Sequence, residues 1–248
     1  MGELITRRIH LSQVDSTNSE ARRRIAQGEW LPEATLIDAD CQVAGRGQGS
    51  NSWESEAGQN LQFSIVCRPA AFVRPAAQFV LSQCIALAVA EAVDGSVKWP
   101  NDIYIGHRKV SGTLIECDLR GGQIEACIIG TGVNVNQTAF RSDAPNPVSL
   151  RQLSGMEHDR EALLQQIVRN FATYYDLLRN GDATTIQQRY LQRLYRREGW
   201  HAYADANGTF RAAIADIEPS GHLILLTEAG ERRRYEYKEV KFLIASTD

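Results

Sequence analysis

Apolar and polar residues alternate loosely over residues 5–14, around Ile5, Ile9 and Leu11, and this predicts a strand. The strand runs into Ser16-Thr17-Asn18-Ser19-Glu20, where Thr17 and Glu20 have capping-box spacing for a helix that Gly28 would stop. Residues 35–39 and 61–67 read as two further strands. Between them lie residues 42–60, rich in Gly, Ser, Asn and Gln; a loop of that length with so little apolar content is usually functional or mobile. Pro75 is placed to open a helix, and residues 79–93 are apolar on nearly every side, which predicts a hidden helix packed on a sheet. Residues 97–99, 103–105, 109–119 and 124–129 read as strands, the last two joined by a hairpin turn at Arg120-Gly121-Gly122.

From Asp159 to Asn180, residues Leu163, Leu164, Ile167, Val168, Phe171, Tyr175 and Leu178 recur at helical spacing and Gly181 supplies a stop. A second helical stretch is expected to about Leu194. From Trp200 the pattern changes to short strands broken at Asn207-Gly208, Ser220-Gly221 and Ala229-Gly230, the signature of a small antiparallel barrel. The predicted fold is α+β: a mixed sheet packed against helices over residues 1–197, then a small barrel over 198–248.

Composition narrows the function. The 248 residues are 43% hydrophobic and 23% charged, ordinary for a globular chain with one large core. Lys and Arg number 27 against 30 Asp and Glu, which gives no electrostatic reason to expect DNA, RNA or an anionic membrane as partner. The five cysteines are spread through apolar stretches without a C-x-x-C pair, so neither disulfides nor zinc are expected. No apolar segment of signal-peptide or membrane-spanning length is evident, and a cytoplasmic protein is expected. No basic helix-turn-helix segment precedes the first strand, so DNA binding is not expected either.

Four segments carry candidate chemistry. Gly45-Arg46-Gly47-Gln48-Gly49 lacks both the following helix of a dinucleotide loop and the G-K-[ST] of a P-loop. Its glycines still let backbone N–H groups approach an anion while a guanidinium grips a carboxylate or phosphate; the plain alternative is a flexible surface loop. Lys98-Trp99-Pro100-Asn101-Asp102 brings a cation, an amide and a carboxylate into a short turn, or is a strand end with a solvated lysine. Lys109 opens the stretch Lys109-Val110-Ser111-Gly112-Thr113-Leu114-Ile115-Glu116, where a lone lysine is ordinarily a snorkelling surface residue. Gly130-Thr131-Gly132-Val133-Asn134-Val135-Asn136 leaves a strand into glycines and asparagines, which taken alone is a turn.

In this order, Ser16-Thr17-Asn18, the glycine-arginine loop ending at Trp53, K-W-P-N-D, K-x-S-G-x-L-x-E and G-x-G-x-N-V-N resemble the biotin protein ligase family, in its short form without an N-terminal DNA-binding domain. The resemblance covers residues 9–136 by motif and the rest by layout. It implies a class II synthetase-like catalytic domain followed by an SH3-like barrel, and an enzyme that makes biotinoyl-5'-AMP from biotin and ATP with Mg²⁺. That enzyme then transfers biotin to a lysine of a biotin carboxyl carrier domain. It implies Ser16, Thr17, Asn18, Gln42, Gly45 and Gly112 around biotin, and Arg46 and Lys109 on the biotin carboxylate and α-phosphate. Trp53 would close over the ligand and Asn134 read adenine, with Asn101 and Asp102 facing the reacting centre and Asp102 near magnesium or the incoming lysine. A lipoate or octanoate ligase or transferase, and a non-catalytic biotin sensor, are the alternatives; a monomer and a homodimer are both open. The family often carries more basic residues after the Gly-Arg-Gly core, where this chain has Gln48, Gly49, Ser50 and Asn51.

Overall fold

The computed structural model describes residues 4–141 and 146–244. A seven-stranded mixed sheet is built from residues 7–133. Its strands are β1 (Arg7–Leu11), β2 (Thr35–Ala39), β3 (Leu61–Cys67), β4 (Ser96–Lys98), β5 (Asp102–Ile105), β6 (Arg108–Arg120) and β7 (Gln123–Val133), in the order β1-β2-β3-β7-β6-β5-β4. Only β1 and β2 run parallel; each other neighbouring pair is antiparallel. The parallel pair is possible because α1 (Thr17–Ala26) provides the crossover between them.

The two faces of this sheet are covered differently. Against one lies α1, whose Ala21 packs with Ile37, Val66 and Ile128. Against the other lies α2 (Phe79–Ala92), entered through a 3-10 turn at Pro75–Ala77 and buried without a break from Val80 to Ala90. Residues 75–92 have a mean hydropathy of 1.3, enough by length and composition to cross a membrane, but the helix is the core. Its outer side is covered by α4 (Arg160–Arg179) and α5 (Ala183–Gln192), through Leu164, Ile167, Phe171, Tyr175 and Ile186. Each fully buried aliphatic side chain here contributes roughly 1.5–3 kcal/mol, so truncating Ile85 at the centre of α2 would cost about 2–5 kcal/mol. Asp159 caps α4 by accepting from Ala162 N at 3.0 Å, and Gly181 ends the segment at φ +82°.

Three details differ from the sequence reading. Thr17 and Glu20 do not form a capping box: Ser16 is the N-cap, its side chain caps nothing, and Glu20 pairs with Arg23 and Arg24. Strand β7 continues to Val133, so Gly130 and Gly132 lie inside a ladder rather than in a turn. The short helix α3 (Leu150–Ser154) was not expected, although Ser149 and Gln152 form a complete capping box there.

The C-terminal strands β8 (His201–Asp205), β9 (Gly208–Ile217), β10 (Leu223–Thr227), β11 (Arg232–Tyr235) and β12 (Lys241–Phe242) form a five-stranded antiparallel sheet ordered β11-β10-β9-β8-β12. Among the described residues β11 and β12 are its two edges, so the hydrogen bonding does not close on itself. Tyr203, Ile217, Leu223, Leu225 and Tyr235 form its buried side. It docks beside the larger sheet and α5, where the Trp99 indole donates to Gly221 O at 2.8 Å and Gln187 Nε2 on α5 donates to Ile217 O at 2.5 Å.

Candidate active site

The floor of a cleft on the α1 face is built from glycine. Gly112 and Gly132 are directly opposed across β6 and β7, with Gly130 opposite Leu114. A Cβ on Gly130 would stand 2.1 Å from Asn18 Oδ1, and one on Gly132 would stand 2.3 Å from the Trp53 ring. These positions hold glycine because a side chain and an indole rest directly on the strand backbone.

One wall comes from the start of α1. Thr17 N and the Thr17 hydroxyl both donate to Gln42 Oε1, at 2.7 and 3.1 Å, and the buried Ser64 hydroxyl lies 2.7 Å from both Thr17 Oγ1 and Asn18 Oδ1. Asn18 then donates to Glu116 Oε2 at 2.9 Å. The same carboxylate takes the Arg46 guanidinium in a two-pronged contact at 3.1 and 3.3 Å. Buried polar groups in a chain of this kind hold one another's orientation, because leaving any of them unpartnered costs on the order of 1–3 kcal/mol.

Arg46 sits on a small hairpin, not a loose loop. Trp53 N donates to Gly45 O at 2.9 Å and Gly47 N to Asn51 O at 2.8 Å, around a turn where Gly49 has φ +69°. Gly45 is packed so closely that a Cβ would meet Trp53 O at 2.4 Å. The hairpin lays the Trp53 indole on the glycine floor, with its buried Nε1 lacking a hydrogen-bond partner among the described residues.

A second ion pair lines the same cleft. Lys109 Nζ lies 2.7 Å from Asp102 Oδ1 and 5.9 Å from the centre of the Trp53 ring, and Asn101 Nδ2 donates to Thr113 O at 3.0 Å. Lys98 takes no part. It is directed towards the C-terminal sheet, between the rings of Tyr104 and Phe242 at 5.6 and 4.9 Å, and burial lowers its pKa. The cation next to the turn is therefore Lys109, not the lysine of the K-W-P-N-D run.

Ser16, Thr17, Asn18, Gln42, Arg46, Trp53, Asn101, Asp102, Lys109 and Gly112 thus line one cavity of about 90 Å³. Two expected residues do not line it. Gly45 serves the hairpin, and Asn134 is buried, with its Nδ2 3.5 Å from Lys109 O and its Oδ1 without a partner among the described residues. Glu116, Ser64 and Tyr237 are functional candidates that the residue patterns did not single out. Tyr237 comes from the C-terminal part and lines the same cavity; the only early signal for Glu116 was its place at the end of K-x-S-G-x-L-x-E.

Chemically, the cleft offers two cations, each held by a carboxylate, with amides and hydroxyls along one wall and bare backbone below. It is suited to a ligand with hydrogen-bonding groups to meet the α1 wall and negative charge to meet Arg46 and Lys109. A metal ion has one carboxylate available at the reacting end, Asp102; no cluster of three His, Cys, Asp or Glu that could hold one occurs among the described residues.

Comparison with known proteins agrees with this geometry. The profile of the Biotin/lipoate A/B protein ligase family matches residues 11–134. The biotin--[acetyl-CoA-carboxylase] ligase of Paracoccus denitrificans is 31% identical over 239 residues, 90% of this chain and 95% of that protein. The bifunctional ligase/repressor BirA of Bacillus spizizenii is 30% identical over 94% of this chain and 74% of its own length. In three dimensions, the biotin protein ligase from Aquifex aeolicus in complex with biotin and ATP superposes with a TM-score of 0.79 at 24% identity, covering 97% of this chain and all of that one. At that identity the likeness is one of fold.

Proposed function

The chain belongs to the biotin/lipoate A/B protein ligase family, and from that membership we propose that it is a biotin protein ligase that activates biotin as biotinoyl-5'-AMP and passes it to a lysine of a biotin carboxyl carrier domain. The observation that carries this reading is the pair of carboxylate-held cations, Arg46 on Glu116 and Lys109 on Asp102, lining one glycine-floored cleft.

In the first step a biotin carboxylate oxygen bonds to the α-phosphorus of ATP as the bond to pyrophosphate breaks. Two anions must meet, and fixed cations in a cleft that excludes water offset their repulsion and stabilise the charge that develops. Arg46 and Lys109 exchange their internal carboxylates for the substrate's anions. The Thr17–Gln42–Ser64 wall, with Ser16, Asn18 and the backbone at Gly45 and Gly112, receives the ureido ring and tail. Trp53 covers the ligand, and Asn134 and Asn101 serve the nucleotide. In the second step the acceptor amine attacks the acyl carbon, AMP leaves, and the proton that the amine loses goes to Asp102. The amine's unperturbed pKa of about 10.4 explains the need for such an acceptor.

Magnesium fits as an ion carried mainly by the triphosphate. Mg²⁺ typically uses one or two protein carboxylates together with substrate phosphates and water, and Asp102 is the residue that would face it; it would supply charge neutralisation on the phosphates. We read residues 1–197 as the catalytic unit and the antiparallel sheet within 198–248 as an SH3-like module. The module completes the cleft through Tyr237.

The test is to incubate the protein with biotin, MgATP and a biotin carrier domain and weigh the carrier. A biotinoyl adduct on one lysine is expected, with none when lipoate replaces biotin. An adduct with lipoate but not biotin would move the chain to the lipoate branch of its family.

A further inference from the structure

Three cysteines form a row across the centre of the larger sheet. Cys67 on β3 is opposite Cys127 on β7, which in turn is opposite Cys117 on β6. The Sγ atoms of Cys117 and Cys127 are 2.6 Å apart. The two differ sharply in access: Cys127 is fully buried against the α2 face, whereas Cys117 is half-buried and opens into a groove of about 480 Å³ between α2, Trp99 and the Gly221 turn. Neither thiol is used by the chemistry proposed above.

We propose that Cys117 and Cys127 are a reversible dithiol site that reacts with small disulfides, with Cys117 as the attacking thiol and Cys127 as the resolving one. Directly opposed residues of an antiparallel pair have Cβ atoms about 4.5–5.5 Å apart, and a disulfide needs about 3.5–4.5 Å, so the strands close by little. The asymmetry fixes the order. Contact with Cys127 lowers the pKa of the Cys117 thiol, whereas contact with Cys117 and burial raise that of Cys127, and the more ionised, more accessible sulfur attacks first.

The steps balance without another reactant. The Cys117 thiolate attacks one sulfur of the small disulfide, forms a mixed disulfide and releases one thiolate, which takes up the proton that Cys117 gave up. Cys127 then loses its proton, attacks the Cys117 sulfur and expels the second thiolate, which is protonated in turn. Two protein thiols are oxidised to one disulfide and one small disulfide is reduced to two thiols. Cys67, sealed in the core on the far side of Cys127, is out of reach of the incoming molecule.

The test exposes the full-length protein to oxidised glutathione, quenches it with acid, and maps the cysteine peptides by mass spectrometry. A Cys117–Cys127 linkage is expected, lost again on treatment with dithiothreitol. In C127S the reaction should stop at glutathione attached to Cys117, and C117S should take up none at either position of the pair. The mapping of the unsubstituted protein decides the matter even where a variant fails to fold. A linkage between Cys67 and Cys127, a lasting glutathione adduct on Cys117 in the unsubstituted protein, or modification confined to Cys41 would each overturn the proposal.

Discussion

At the scale of single residues, the cleft sorts its side chains by how their partners are reached along the chain. Lys109 interacts with Asp102, seven positions away, and both lie in recognisable motifs. Lys109→Ala should slow adenylate formation by about 100- to 1000-fold, the usual effect of deleting a donor aimed at developing charge, while biotin affinity falls much less; pyrophosphate release and biotin titration measured side by side will separate the two. Glu116 lies 70 positions from Arg46 and 98 from Asn18, so the motif that ends on it could not announce these partners. Ser64 was equally hidden, because inside an apolar strand a serine reads as neutral filler until its neighbours are known. The glycines were noticed but misread as a turn, since a sequence shows the missing side chain and not the Asn18 amide that occupies its place. Gly130→Ala would force a Cβ into that amide, and overpacking of this kind costs about 1–3 kcal/mol. A lowered thermal midpoint with weakened biotin binding is expected, and an unchanged midpoint would mean that Asn18 can turn aside freely.

At the scale of elements, strands and long helices were legible wherever burial was one-sided or complete. Thr35–Ala39 and Leu61–Cys67 fall where their apolar runs predict, and α4 starts and stops at its polar cap and glycine. The start of α1 was misassigned because Thr17 is claimed by Gln42 and Ser64, so tertiary contacts outcompete the local cap. The edge pair β1 and β2 is tied to α4 by a charge relay in which Arg8 bridges Asp38 and Glu161 while His10 Nδ1 lies 2.7 Å from Asp38. Burial pushes the Asp38 carboxyl up, but its hydrogen bonds with Arg8 and His10 outweigh that and hold it below the usual range. The hydrogen bond to Asp38 raises His10. The depressed Asp38 therefore stabilises the fold above the unfolded carboxylate pKa, and that contribution is lost as pH falls through its folded value. The raised His10 stabilises below the unfolded imidazole pKa and is lost as pH rises through its folded value. Asp38→Asn should return the His10 titration, followed by NMR, towards its ordinary value and remove this relay's share of the acid limb of the stability curve.

At the scale of the whole molecule, the smaller sheet is part of the cleft's surroundings and not a separate appendage. Trp99 follows β4 directly, and its indole bond to Gly221 O joins the turn that carries Asn101 and Asp102 to the C-terminal strands. Gly221 is packed so tightly on Phe79 that a Cβ would stand 2.8 Å from the ring. Trp99→Phe removes one hydrogen bond and part of a buried ring, so a loss of about 1–3 kcal/mol is expected, together with slower transfer to the carrier where Tyr237, packed on the indole, is no longer held over the cleft. Calorimetry and single-turnover transfer would measure the two effects; a variant with unchanged stability and transfer would make the bond incidental. The change to short strands from Trp200 pointed to a second sheet, but its docking could not be foreseen, because it rests on backbone carbonyls whose direction no sequence pattern encodes.

The placement of Trp53 on its glycine floor also makes the protein its own optical gauge. A cavity of about 90 Å³ is small beside the roughly 300–1,000 Å³ usual for ligand pockets, so ligand entry is expected to lift the indole. Its emission will then change in wavelength and intensity while Trp30 and Trp200, which are exposed, and Trp99, which is bonded to Gly221, remain a steady background. Stopped-flow fluorescence on the unlabelled protein, with Trp53→Phe as the dark control, would thus time the opening of the hairpin separately from the bond-making that follows.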